Sequence, residues 1–189
     1  MGNIFNAIAH LQLNFSLSGI FIRGAIAISE LYMDENIVVG PGLIEAYELE
    51  NSLANFPRII LSKSASRLVK THINYYANHN HSPQSNEYLR DTDGFVFLNY
   101  LQHAIYQSPD GPYEYNESKI YEIIKKHKEV IISHLSKYKD NYSVFNKYCW
   151  VAEYHNYFCK TNLKIFASFD KGELLIEEKL YKVKIKKLT

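Results

Sequence analysis

Two carboxylates, Asp91 and Asp93, flank Thr92 directly before Gly94. Acidic residues at i and i+2 can share a hard cation through oxygen ligands; the same residues also form an ordinary polar turn. Arg23 sits among small residues in Arg23-Gly24-Ala25-Ile26, and Arg58 follows Pro57 at the head of an apolar run. A guanidinium at either place suits a phosphate or a partner's carboxylate. The plainer roles are structural: Arg23 paired with Glu30, Glu45 or Glu48, and Arg58 in a surface or strand-edge ion pair. Glu45 and Glu48 are themselves site candidates, or an exposed helix face. His72, His79 and His81 supply three imidazoles, a zinc set without a convincing fourth ligand. His155, with Cys149 or Cys159, suggests a thiol–imidazole dyad or a histidine packed in an aromatic helix. Gly40-Pro41-Gly42 lacks the lysine and hydroxyl of a phosphate-binding P-loop.

The elements that must position these residues are legible in outline. Apolar Ile4, Ile8, Leu11 and Phe15 predict a helix over 3–17 with Gly19 as its stop. Residues 20–29 read as a central strand covered on both faces, with Ile20, Ile22, Ile26 and Ile28 on one and Arg23 among small residues on the other. A polar turn at 34–36 precedes a short strand at 37–39. A helix is expected over 43–53 with Leu43, Ala46, Tyr47, Leu49 and Leu53 inward, then a strand at 58–61. A helix over 63–78 presents Ala65, Leu68, Val69, His72 and Tyr76 on one face. Polar loops cover 78–93 and 108–116, around a buried strand at 95–98 and a helical turn at 101–106.

Two longer helices follow. One spans 118–138, with the stripe Ile120, Ile123, Ile124, His127, Ile131 and Leu135. The next, 143–160, carries Phe145, Tyr148, Ala152, His155 and Cys159 on one side and Trp150, Tyr154 and Tyr157 on another, so it is buried on more than one side. The aromatic stripe reads as core or interface rather than a cofactor box. The tail alternates Tyr181, Val183 and Ile185 with Lys182, Lys184 and Lys186 after an expected hairpin turn at Asp170-Lys171-Gly172. Lysines there guard a strand edge, or bind anions.

Bulk properties bound the class. The 189 residues suffice for one domain with a real core. With 21 basic and 20 acidic residues the charge is nearly balanced, so nothing global points to nucleic acid or an anionic membrane. Sixteen tyrosines and ten phenylalanines argue against disorder. Cys149 and Cys159, roughly 15 Å apart along one helix, are too far apart to bridge and are expected as free thiols in a reducing, cytoplasmic setting. No run approaches the roughly 20 apolar residues of a membrane span.

Arg23-Gly24-Ala25-Ile26, then the helix Gly42-Leu43-Ile44-Glu45-Ala46-Tyr47-Glu48-Leu49-Glu50, then Pro57-Arg58-Ile59 resemble the second half of class III nucleotide cyclase catalytic domains. Lys147-Tyr148-Cys149-Trp150 and Glu153-Tyr154-His155-Asn156, after His127-Lys128, are similar to prokaryotic relatives of the pyrimidine cyclases of Pycsar anti-phage defence. The resemblance covers about 40 residues closely. It implies an α+β fold: an incomplete cyclase-like (ferredoxin-like) sheet with helices on one face in 1–107, then a C-terminal helical hairpin and β-tail in 117–189.

The family converts nucleoside triphosphates to 3′,5′-cyclic nucleotides with two metal ions held by two aspartates, on strands upstream of the matched region. Residues 1–19 contain no acidic residue, so the chain is expected to lack that metal-binding half and its magnesium or manganese. Many members place an asparagine and an arginine on the helix after the glycine; those positions here are Ile44 and Glu48, and a carboxylate cannot stabilise a phosphate transition state. The resemblance therefore implies a cyclase-like chain that is inactive alone, with Arg23, Glu45, Glu48 and Arg58 as candidate cleft residues and no catalytic or metal residue assigned. Its expected partners are a second copy or a complementary cyclase half, and a nucleoside triphosphate. The alternative is a catalytically silent module binding a nucleotide or a protein.

Overall fold

A computed structural model describes residues 2–77, 85–106, 116–162, 164–166, 169–176 and 185–188. The chain is α+β, with a five-stranded mixed sheet and a separate two-stranded ribbon. It divides into two compact units, each built from two stretches of chain: Ile22–Leu98 with Ile185–Thr189, and Met1–Phe21 with Asn99–Lys184. The stretch carrying the closest cyclase resemblance thus lies within the unit that begins at Ile22.

In that unit, β1 (Gly24–Ile26) pairs in parallel with β4 (Ile59–Leu61), Ala25 opposite Ile60. Parallel neighbours require a crossover, and it contains the ribbon of β2 (Tyr32–Met33) and β3 (Val38–Val39) and the helix α2 (Pro41–Ser52). β5 (Tyr88–Arg90) and β6 (Val96–Leu98) form an antiparallel hairpin beside β4, and β7 (Lys186–Lys187) pairs antiparallel with β5. The order is β1-β4-β6-β5-β7. The middle of the sheet is apolar: every residue of β4 and β6 is buried. Ser62 accepts from the Ala65 amide and so starts α3 (Lys63–Ala77), whose buried contacts are Ala65 and Val69 while His72 is exposed.

The expected central strand at 20–29 is corrected in place and in length. β1 is three residues long, half-exposed, and at one end of the sheet. Its far edge meets no other strand among the described residues, so the alternation of apolar residues reported strand character but not coverage. The expected inward face of the 43–53 helix is also corrected: no residue of α2 is buried, and Leu43, Tyr47 and Leu53 are exposed.

The other unit is helical. α1 (Gly2–Leu17) packs with α4 (Gln102–Tyr106) and α5 (Glu117–Lys137), and α5 packs with α6 (Tyr142–Thr161). The stripe predicted on α1 faces outward: Ile4, Leu11 and Phe15 are exposed, while Phe5, Ala9, Gln12, Leu13 and Ser16 are buried. α5 buries Ile120, Ile124, His127, Ile131 and Leu135 as expected. α6 is buried on several sides, from Trp150 and Tyr154 to His155 and Cys159. Asn116 and Asn141 cap the two helices, accepting from the amides of Lys119 and Val144. Asp170 caps a 3₁₀ turn at Lys171–Leu174 through the Gly172 amide, in place of the expected hairpin turn. His79, His81, most of the 108–116 loop, and Tyr181 to Lys184 lie outside the described residues.

No helix among the described residues is long and apolar enough to cross a membrane. Cys149 and Cys159 are both buried free thiols.

Candidate functional site

Arg58 lies at the entrance to β4 and is fully buried. Its Nη1 donates to Asp91 and its Nη2 to Asp93, so one guanidinium bridges both carboxylates of the Asp-Thr-Asp-Gly turn between β5 and β6. Each carboxylate has a second task. Asp91 Oδ1 accepts from the Thr92 amide at 2.6 Å, and Asp93 Oδ1 from the Phe95 amide at 3.1 Å. Gly94 completes the turn at φ 86°, a conformation glycine adopts without cost. The Phe56 and Phe97 rings lie 5.5 Å from the guanidinium carbon, a cation–π distance. Burial corrects the expected surface pair. Both carboxylates are taken up by the guanidinium and by the amides of their own turn, and with two negative charges against one positive the cluster does not favour a phosphate.

Arg23 is partly exposed at the start of β1. Its Nε pairs with Glu50 at 2.7 Å and Nη1 donates to the Ala54 carbonyl at 3.3 Å. The ion pair ties the strand to α2, as the structural reading expected, but through Glu50 rather than Glu30, Glu45 or Glu48. Glu45 is half-buried and Glu48 exposed on α2. Arg23 and Arg58 are thus each committed to carboxylates within the unit, and the four candidate cleft residues form no common ion-pair network.

The region around α2 is instead apolar and open. Gly40, at φ 147°, turns the chain into α2 so tightly that a Cβ would stand 2.8 Å from the Glu30 carbonyl oxygen, and the Gly42 amide donates to that same oxygen at 3.0 Å. The ribbon and the helix are thereby held together. Tyr32, Met33, Val38, Ile44, Tyr47 and Leu53 are all exposed, Met33 by 70% and Tyr47 by 66%.

No family model, no curated protein and no solved structure matches the chain.

In the helical unit a second polar cluster emerges. His127 on α5 and His155 on α6 are both fully buried, with their Nδ1 atoms 3.0 Å apart. His155 Nε2 lies 2.8 Å from the Leu174 carbonyl, so it must carry a proton and donate. In a neutral ring that leaves His155 Nδ1 as the acceptor. His127 Nδ1 is then the donor, and His127 Nε2 accepts from the Tyr100 hydroxyl at 3.0 Å. One orientation satisfies the whole chain of bonds, and it requires both rings uncharged. Burial pulls both imidazoles below their ordinary value, His127 further through the charge His155 would carry.

Cys159 Sγ is 3.5 Å from His155 Nε2, so the expected neighbours do meet. They do not form a nucleophilic dyad: that nitrogen is a donor, and burial pushes the thiol up to about 12. The cluster is a packed hydrogen-bond array. A signal for it was present in the sequence. His127 and His155 stand fourteen residues either side of Asn141, and His134 and Tyr148 seven. In an antiparallel pair folded at Asn141, equidistant residues meet, and the His134 and Tyr148 rings are indeed 4.7 Å apart.

Proposed function

We propose that this chain is a nucleotide-cyclase-like component that works by docking to another protein and turns over no nucleotide by itself. The observation that carries the reading is α2: a helix with no buried residue, presenting Ile44 and Tyr47 outward at the positions where the resemblance calls for a helix lining a catalytic cleft. Large adjacent apolar side chains left in water mark an interaction surface. The commitments of Arg23 to Glu50 and of Arg58 to Asp91 and Asp93 support the same reading. A triphosphate would have to displace a carboxylate from either arginine before using it.

In the cyclase branch of this reading, the partner is a complementary half that brings the two metal-binding aspartates, and the site forms between the chains. The test is incubation of the purified chain with the four nucleoside triphosphates and manganese, alone and with a metal-binding cyclase half. The expected outcome is no cyclic product from the chain alone and product from the mixture. Product from the chain alone would overturn the reading. No product in either arrangement, with the fold intact, would remove the cyclase branch and leave docking.

A further inference from the structure

The apolar face of the Ile22–Leu98 unit has a rim of one sign. Between Gly24 and Pro57 the sequence contains no lysine, arginine or histidine, and six acidic residues: Glu30, Asp34, Glu35, Glu45, Glu48 and Glu50. This is the segment that forms the ribbon and α2. Glu50 is engaged by Arg23. Asp34 closes the ribbon, accepting from the Asn36 and Ile37 amides at 2.9 Å, and those bonds with the Tyr32 hydroxyl hold its carboxyl below the ordinary value, so it stays charged. Glu30, Glu35 and Glu48 are exposed.

The ribbon and α2 leave many large apolar side chains in water. Tyr32, Met33, Val38, Ile44, Tyr47 and Leu53 lie between 42% and 70% exposed, and Leu31, Ile37, Val39 and Leu43 extend the patch. Tyr32 stands opposite Val39 and Met33 opposite Val38, so the ribbon shows one of these pairs on each face, and both are exposed. Two copies meeting through this face would bring acidic rim against acidic rim, and like charges at an interface oppose association.

We infer that this face docks a different protein chain whose contact surface is apolar at its centre and rimmed with lysine or arginine. The inference rests on the docking reading above and adds the partner's chemistry to it. An acidic rim steers such a partner in and rejects acidic surfaces, and both effects weaken with salt.

The test uses two synthetic amphipathic helical peptides with the same leucine face, one with lysines and one with glutamates on the other face. Binding is read by fluorescence anisotropy against the full chain. The lysine peptide is expected to bind at least tenfold tighter than the glutamate peptide, with affinity falling as salt rises. The Glu45→Lys/Glu48→Lys variant should narrow that ratio several-fold, and Ile44→Asp/Tyr47→Asp should abolish binding, with folding of each variant checked by circular dichroism. Equal affinity for the two peptides would overturn the charge inference while leaving docking in place. Binding of neither would overturn both. Concentration-dependent dimerisation of the chain that Tyr47→Asp abolishes would overturn the choice of a different partner in favour of a second copy.

Discussion

Arg58 holds a full charge in the interior, and the consequences of removing it are lopsided. Arg58→Met leaves Asp91 buried without its counter-charge, a loss of about 3–5 kcal/mol in cases of this kind. Removing the carboxylates as well, as Arg58→Met/Asp91→Asn/Asp93→Asn, should recover most of that loss, because no uncompensated charge stays behind. Urea unfolding of the two variants checks this; equal stability of Arg58→Met and the wild type would show the triad to be solvated. The buried histidines set a pH dependence. Burial pulls His103 down to about 4 and lowers His127 and His155 as well. A depressed folded value means that the unfolded chain binds more protons, so the stabilisation is complete above about pH 6.5 and is lost as pH falls toward the folded values. Each such histidine contributes a slope of about 1.4 kcal/mol per pH unit in that window. Glu87, pushed up to about 7 by burial, works in the opposite sense above about pH 4.5. The sharp comparison is therefore between wild type and His103→Gln, whose unfolding free energy should fall less steeply between pH 6.5 and 5 by about one histidine's slope. Identical slopes would mean that His103 titrates freely in the folded state.

At the scale of elements, the turn into α2 depends on one glycine. A Cβ at Gly40 would meet the Glu30 carbonyl oxygen at 2.8 Å and the Leu31 Cα at 3.0 Å, on a backbone at φ 147°. Gly40→Ala should cost on the order of 1–3 kcal/mol, with hydrogen exchange of α2 amides accelerated more than that of β4. Unchanged α2 exchange would show the helix to be anchored elsewhere. The elements themselves were readable because their signals are local: apolar periodicity on α5 and a polar turn at Asp34. What a face packs against is not local. Ile4, Leu11 and Phe15 have the spacing of an inward stripe yet face out, while Phe5, Ala9, Leu13 and Ser16 on the same helix are the buried side. β1 looked doubly covered because its residues are apolar on one side and small on the other, but coverage depends on strands and helices far away in sequence. The Arg58 triad escaped notice for the same reason: Arg58 and Asp91 are separated by 33 residues, and only their shared position beside fully apolar strands hinted at burial. The His127–His155 contact was legible in principle, through the symmetry about Asn141.

At the scale of the whole molecule, an α+β chain leaves large apolar side chains of its ribbon and α2 exposed and commits Arg23 and Arg58 to carboxylates of its own framework. The central claim is that the α2 face is open to solvent and free for a partner. Substituting exposed residues changes stability by about 0.5 kcal/mol or less, whereas charging a packed core costs several times that. The direct measurement is the unfolding free energy of Ile44→Asp/Tyr47→Asp relative to wild type, by urea denaturation of the isolated chain. The account predicts a difference within about 1 kcal/mol and an unchanged dependence on denaturant. A loss of more than about 3 kcal/mol would show that the molecule covers this face itself, and would contradict the docking reading.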